Sequence, residues 1–471
     1  MKRLSLMDMA FFVAESEDSP KHVAGLMLCQ KPKGCADDYV ERLIEDACRE
    51  DWISEPFDQV IHFFGPLGPY WDRCRAFSFD NHVFYHHEGR AISWNQAMEK
   101  AALLHEPMLD RSRPLWEFHL IDGIRGRRFA LYLKLHHAYA DGMTMTSWMD
   151  QGLATSADDD SFTPPWAINP RKRRSRRREN APRRPSLPRP SQVLCGLAGM
   201  AKQQLRSGGG MLKLTAQQAI ERAGLTQDAV ALMFSTPPDT PMTGSAQPGR
   251  SVATAGVPMS RVFRLCDATC STLNHVALAC IDGAIHDYLA RRDIHLEHPL
   301  SVQMPVNLRD ADAGQGGGGN RIGITLVDLA QPGLSPYRRL REIGFKLHNV
   351  KYQVSGIPAV AFEQFTFLAG GASEAINKLG LTDSLPTNGH AVVSNLPGPK
   401  ETRYLRGSLV ERMYPISTLS PGLRLNITMF SYDGILHFGL VATRDLDELQ
   451  SLADGIVEQF RDLEKAIRQR R

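Results

Sequence analysis

Seven consecutive residues constrain this chain more than any other stretch: His136-His137-Ala138-Tyr139-Ala140-Asp141-Gly142. They follow the apolar run Phe129-Ala130-Leu131-Tyr132-Leu133-Lys134-Leu135. Side chains alternate between the two faces of a strand. A strand over Phe129 to Leu135 therefore puts Leu131, Leu133, Leu135 and His137 on one face and Tyr132, Lys134 and His136 on the other. His137 continues the apolar face and emerges where that face meets a cleft. An imidazole exchanges its proton near neutral pH, which makes it the usual general base. Asp141-Gly142 reads as a turn into a helix over Met143 to Gln151, and Gly142 lets the backbone turn closely where a side chain would intrude. A pair of packed histidines beside a turn would leave the same trace. The other pair, His86-His87, is followed by Glu88-Gly89 with no Asp-Gly, and reads as an ordinary loop.

A chain of 471 residues is long for one core, and two domains are expected. The first is placed at 1–160, a basic Pro/Arg-rich linker at 161–190 and the second at 191–471. Candidate helices fall at Asp37 to Glu50, Ser93 to Leu104 and Ser271 to Ala290, the last with Leu273, Val276, Ala277, Cys280, Ile281, Ala284 and Tyr288 at helical spacing. Helical patterning also appears near Val193 and Ala216 to Ala223. Candidate strands lie near Leu26 to Cys29, Val302 to Met304, Ile322 to Val327, Ala391 to Ser394, Arg424 to Ser431 and Ile435 to Val441. Strands mixed with helices in both halves point to two similar α/β domains.

The net charge of +3 hides an imbalance. Arg171 to Pro190 carries ten Lys or Arg and one Glu, leaving −6 for the rest of the chain. Such a segment serves as a solvated linker, a contact for an anionic lipid surface or, less readily, a nucleic-acid contact, since no aromatic residue beside the arginines offers a stacking platform. There is no run of eighteen apolar residues to span a membrane and no secretory leader, so a cytoplasmic location is expected. None of the eight cysteines forms a CxxC pair, and no metal site is expected. The glycine cluster Gly314 to Gly319 lacks a phosphate-loop arrangement. Without a GxSxG elbow or an HExxH pair, serine hydrolase and zinc peptidase readings lose their support.

Several blocks together resemble the bacterial wax ester synthase/acyl-CoA:diacylglycerol acyltransferase family, whose signature is HHxxxDG. The resemblance spans nearly the whole chain: Glu15 and Pro20-Lys21-His22-Val23, Pro114-Leu115-Trp116, Val393-Ser394-Asn395-Leu396-Pro397-Gly398-Pro399, Leu425-Asn426-Ile427-Thr428 and Ser431-Tyr432-Asp433-Gly434. Gly319-Asn320 stands where the family has a Gly-Asn pair. The resemblance implies a fold of two chloramphenicol acetyltransferase-like domains, with mixed sheets flanked by helices and an active-site channel between them.

It also implies acyl transfer from acyl-CoA, a substrate rather than a cofactor, to a long-chain alcohol or diacylglycerol. His137 would take the hydroxyl proton, and the alkoxide would attack the thioester and expel CoA thiolate, with no covalent acyl-enzyme required. His136 is assigned a supporting role, Asp141 a role in holding the turn through an arginine such as Arg309, and Asn274 or Asn426 the oxyanion donor. Pro114-Leu115-Trp116 reads as a rigid turn with an apolar anchor. Two positions depart from the family: His275 replaces the Asp of an Asn-Asp pair, and Lys21 stands where Met is common. Peripheral contact with a membrane or lipid inclusion through Arg171 to Arg189 is a further expectation. The alternatives are an HHxxxDG enzyme with another acceptor and a non-catalytic lipid-surface protein on a degenerate scaffold.

Overall fold

The computed structural model describes residues 2–49, 53–64, 68–168, 233–237, 239–307, 322–355 and 358–470. In chain order the elements are β1 (Lys2–Arg3), α1 (Leu6–Val13), β2 (His22–Gln30), α2 (Tyr39–Ala47), β3 (Gln59–His62), β4 (Tyr70–Arg73), β5 (Val83–Ile92), α3 (Trp94–His105), β6 (Trp116–Ile124), β7 (Arg128–His136) and α4 (Gly142–Gly152). There follow β8 (Arg250–Pro258), α5 (Met259–Thr269), α6 (Leu273–Ala290), β9 (Ser301–Asn307), β10 (Ile322–Asp328), α7 (Pro336–Ser355), α8 (Ala359–Lys378), β11 (Ala391–Pro397), β12 (Tyr404–Leu405), β13 (Ser408–Ile416), β14 (Leu425–Tyr432), β15 (Ile435–Thr443) and α9 (Leu449–Arg468). The helical patterning near Val193 and Ala216 to Ala223, the basic segment Arg171 to Arg189, Arg309 and Gly319-Asn320 lie outside the described residues.

The α/β architecture expected from the sequence is present as two six-stranded mixed sheets. One has the order β12-β13-β2-β7-β6-β5 and the other β10-β9-β11-β14-β15-β8, while β1, β4 and β3 form a small third sheet. Strand β7 is the centre of the first sheet and is buried on both faces. Leu131, Leu133 and Leu135 join Leu115, Trp116 and Met145 in one core layer, while Ala130 and Tyr132 join Ala24, Leu26 and Tyr414 in another. Lys134, on the second face, is fully buried. Its ammonium donates to the carbonyls of Leu104 (2.9 Å) and Pro107 (2.6 Å), which replace its water.

Two features differ from the expectations. The division at 161–190 does not separate the sheets, because β13, from the second half, pairs antiparallel with β2 in the first (Ile416 opposite Ala24, Tyr414 opposite Leu26). Nothing local in residues 408–416 records which sheet they enter. His86 and His87 are on β5, not in a loop. This edge strand is held by parallel ladder bonds to β6, with His86 opposite Ile121 and His87 opposite Asp122. Its side chains show no apolar alternation, so its pattern does not announce a strand.

Helix starts follow from capping chemistry. Ser5 and Asp8 form a capping box on α1, which explains the acid interrupting the apolar run Leu6 to Val13. Ser93 with Gln96 caps α3, and Thr272 with His275 caps α6.

Candidate active site

Register places the histidine pair. His136 ends β7 opposite His22 of β2. The ladder then continues by one bond, from the His137 N–H to the Lys21 carbonyl (2.9 Å). A tight turn follows, closed by the Tyr139 N–H on the His136 carbonyl (2.8 Å). Tyr139 is buried; its hydroxyl donates to the Gln59 carbonyl and accepts from the Leu115 N–H (2.9 Å). The turn is thereby tied to the Pro114-Leu115-Trp116 block. Trp116 is fully buried, stacks between His82 and Trp166, and donates from Nε1 to the Phe57 carbonyl (2.9 Å). Leu115 and Trp116 of the block belong to the core.

The two imidazoles have distinct surroundings. His136 is fully buried, and its Nδ1 accepts from the Ala138 N–H (3.1 Å). In the neutral ring the proton is therefore on Nε2, which lies 3.5 Å from Glu15 Oε1. Glu15 also accepts from the Lys21 N–H (3.1 Å) and pairs with Arg111 (2.8 Å). Burial raises the Glu15 carboxyl, but His136, Arg111 and the Lys21 amide outweigh it and bring its pKa down to about 2. Helix α1 covers both histidines: Phe12 stacks on His136 and Phe11 on His137, each with ring centroids 4.2 Å apart. Burial drives the His137 pKa down to about 4; its backbone hydrogen bond and Asp141 oppose the fall, and His136 and Lys21 add to it. His137 is thus neutral at pH 7, the form that accepts a proton. No spacing rule in the sequence links Glu15 to His136.

Asp141 is the N-cap of α4. Its Oδ1 accepts from the Thr144 N–H (2.8 Å) and the Thr144 hydroxyl (2.7 Å). The helix begins at Gly142, one residue before the expected start. A Cβ on Gly142 would meet Leu396 Cδ1 and lie 2.9 Å from its Cδ2. Gly142 therefore serves close approach between the first half and β11 of the second.

The other candidates lie across this junction. Asn274, in the first turn of α6, accepts at Oδ1 from Asn395 Nδ2 (2.8 Å). This joins two of the resembling blocks and turns the remaining capacity of Asn274 toward donation. Asn426 is buried; its Nδ2 donates to the Thr418 carbonyl (2.8 Å) and its Oδ1 accepts from Thr428 (3.0 Å). The Thr418 hydroxyl donates to the Pro20 carbonyl (3.0 Å), so Asn426 ties the loop after β13 to the segment before β2. His275 caps α6: its Nδ1 accepts from the Thr272 N–H (3.4 Å), standing where a family Asp would present a carboxylate.

Two small apolar cavities lie beside α4. One is lined by Leu131, Leu133, Phe118, Trp148 and Leu405. The other is lined by Gly142, Leu396, Met413, Tyr414 and Phe430. Both share Gly25 and Met27 of β2 and Met145 and Met149 of α4. Flexible methionines suit an irregular apolar occupant.

Among the described residues, one group brings three metal-type ligand atoms together: Asp239, His298 and His390, within 4.8 Å of one another. His390 Nδ1 accepts from the Ser301 N–H (3.0 Å). Its neutral ring thus faces the group with an N–H rather than a lone pair, which does not suit a cation.

The chain is similar to known acyltransferases. Residues 4–277 match the wax ester synthase/diacylglycerol acyltransferase catalytic domain, and residues 318–464 match the WS/DGAT C-terminal domain. The O-acyltransferase WSD of Acinetobacter baylyi is 28% identical over 99% of this chain and 98% of its own length. A probable diacylglycerol O-acyltransferase of Mycobacterium tuberculosis is 30% identical over 98% of each. Among solved structures, the wax ester synthase/diacylglycerol acyltransferase of Marinobacter aquaeolei VT8 superposes with a TM-score of 0.73 at 24% identity, covering 99% of this chain and 100% of that one. The first condensation domain of the calcium-dependent antibiotic synthetase shares the fold at a TM-score of 0.57 and 14% identity, covering 99% of this chain and 96% of that one.

Proposed function

The chain belongs to the wax ester synthase/diacylglycerol acyltransferase family, and we propose that it is an O-acyltransferase that moves a fatty acyl group from acyl-CoA to a long-chain alcohol or diacylglycerol. The observation that carries the reading is His137: a neutral imidazole at the end of an apolar face, fixed by the Lys21 carbonyl and stacked on Phe11. In this reading His137 takes the hydroxyl proton as the alcohol oxygen attacks the thioester carbonyl. The tetrahedral oxyanion collapses, the C–S bond breaks, and CoA leaves as thiolate, which the imidazolium can reprotonate. Holding both substrates in place removes the need for an acyl-enzyme.

His136, with its proton set on Nε2 by the Ala138 amide, holds the turn rather than moving protons. Asp141 fixes the start of α4. Asn274 is the better placed of the two oxyanion candidates, because the amide of Asn426 is engaged in bracing the loop after β13. The apolar lining beside α4 suits contact with an alkyl chain. No cofactor is called for, since base, carbonyl and leaving group supply the whole reaction.

No helix among the described residues is long and apolar enough to cross a membrane. Contact with an anionic membrane or lipid inclusion is assigned to Arg171 to Arg189, on its charge alone. Deleting that segment should lower co-sedimentation with anionic vesicles and leave activity toward dispersed substrate intact.

The direct test is CoA thiol release from palmitoyl-CoA with hexadecanol or dipalmitoylglycerol, run beside His137→Ala. Acceptor-dependent release that the folded variant loses supports the reading and ranks the acceptors. Full activity in His137→Ala overturns the mechanism.

A further inference from the structure

Lys21 places a buried charge inside the site itself. It directly precedes β2, is 3% exposed, and stands opposite His137 where the β2–β7 ladder runs on by one bond. Opposed residues of an antiparallel pair direct their side chains to the same face, with Cβ atoms about 4.5–5.5 Å apart. The Lys21 ammonium is held by Ser19 Oγ (2.6 Å) and the Leu419 carbonyl (3.0 Å), two neutral acceptors. A charge in such a place is little screened by solvent.

We propose that Lys21 is a positioning residue for His137: its carbonyl fixes the backbone of the base, and its buried ammonium, opposite the imidazole in the ladder, adds to the burial that keeps the ring in the proton-accepting state.

The surrounding charges support this. On its own segment His137 meets His136, which lowers its pKa, and Asp141, which raises it. Glu15, at the end of α1, is occupied by Arg111 and the Lys21 amide as well as His136. Around Lys21 stand Glu374 of α8 and Glu15, which favour its charge, and Arg250 of β8, which opposes it. Glu374 is itself shared with Lys378 (3.9 Å). Burial lowers the Lys21 pKa to about 8, so it remains a cation at neutral pH. A methionine here would keep the carbonyl clamp and remove the charge.

The proposal rests on His137 being the base, but its readout does not. The measurement is NMR titration of the His137 imidazole in the full chain, for wild type, Lys21→Met, Lys21→Gln and Lys21→Arg, with Tm and the acid limb of kcat/KM alongside. Burial of the ring persists in both variants, so Lys21→Met and Lys21→Gln should raise the His137 midpoint by up to about one pH unit, and move the acid limb with it. Lys21→Arg should hold the wild-type midpoint. Gln retains a donor that can face Ser19, so one neutral variant remains informative if the other fails to fold. A wild-type midpoint at or above the ordinary imidazole value overturns the proposal. So does a lower Tm with an unmoved midpoint, which would leave only the structural clamp. A midpoint that moves while CoA release never depends on His137 would support the electrostatic relation and reject the catalytic reading instead.

Discussion

Gly142 and Leu396 touch across the junction of the two halves, and the contact leaves no room for a β-carbon on Gly142. Two effects oppose each other in Gly142→Ala. Alanine improves the first turn of α4 by at most about 1 kcal/mol, while overpacking against Leu396 costs about 1–3 kcal/mol. The expected net result is a lower Tm and a loss of kcat/KM, because the displaced element carries Asp141 and lies beside His137. Adding Leu396→Ala should recover part of both. A single variant as stable and active as wild type would show that the junction yields freely.

Glu15 gathers Arg111, the Lys21 amide and His136. Glu15→Ala leaves the Arg111 guanidinium and the Lys21 amide without their acceptor and should cost about 2–3 kcal/mol. That is less than the about 3–5 kcal/mol of a fully buried pair, because Arg111 reaches solvent. Glu15→Gln keeps most of the geometry and should cost less. Urea midpoints for the pair test this ranking, and equal midpoints would reject it.

Five histidines, His86, His137, His286, His390 and His437, are each brought by burial to a pKa of about 4. The unfolded chain binds their protons near the ordinary value of 6.5, and the folded chain does not. The stability they contribute is therefore complete above pH 6.5 and is lost as pH falls from there toward 4. Urea midpoints at pH 7.5, 6 and 5 should decline with a steepening slope. A midpoint constant to pH 5 contradicts the burial of these rings.

His275 caps α6 with an imidazole nitrogen, which accepts only while neutral, and burial keeps its pKa below the ordinary value. His275→Asp offers a carboxylate to the same amide and to the helix dipole. It should raise Tm by a stabilisation of a few tenths to about 1 kcal/mol, with activity unchanged. A loss of activity would give the imidazole a role beyond the cap.

Local chemistry was legible in the sequence wherever one segment decides it. The alternation of Leu131, Leu133 and Leu135 fixed the face on which His137 ends. Asp141 followed by Gly142 announced a helix start. What was not legible depends on partners distant along the chain. Glu15 meets His136 only because α1 folds over the turn, and Asn426 is occupied only because Thr418 comes back to Pro20. The entry of β13 into the first sheet and the strand character of His86-His87 come from ladder bonds, to which side-chain patterns are nearly blind.

The passage of β13 into the first sheet sets an order of events during synthesis. The outer edge of β2 has no partner until residue 416 has left the ribosome, with about nine-tenths of the chain already made. Until then the first half waits with a bare strand edge, a surface that invites wrong pairing. The histidine pair at the end of β7, one strand in from that edge, is therefore completed among the last parts of the molecule. Either half expressed alone should be prone to aggregate, and the two should recover solubility only when produced together.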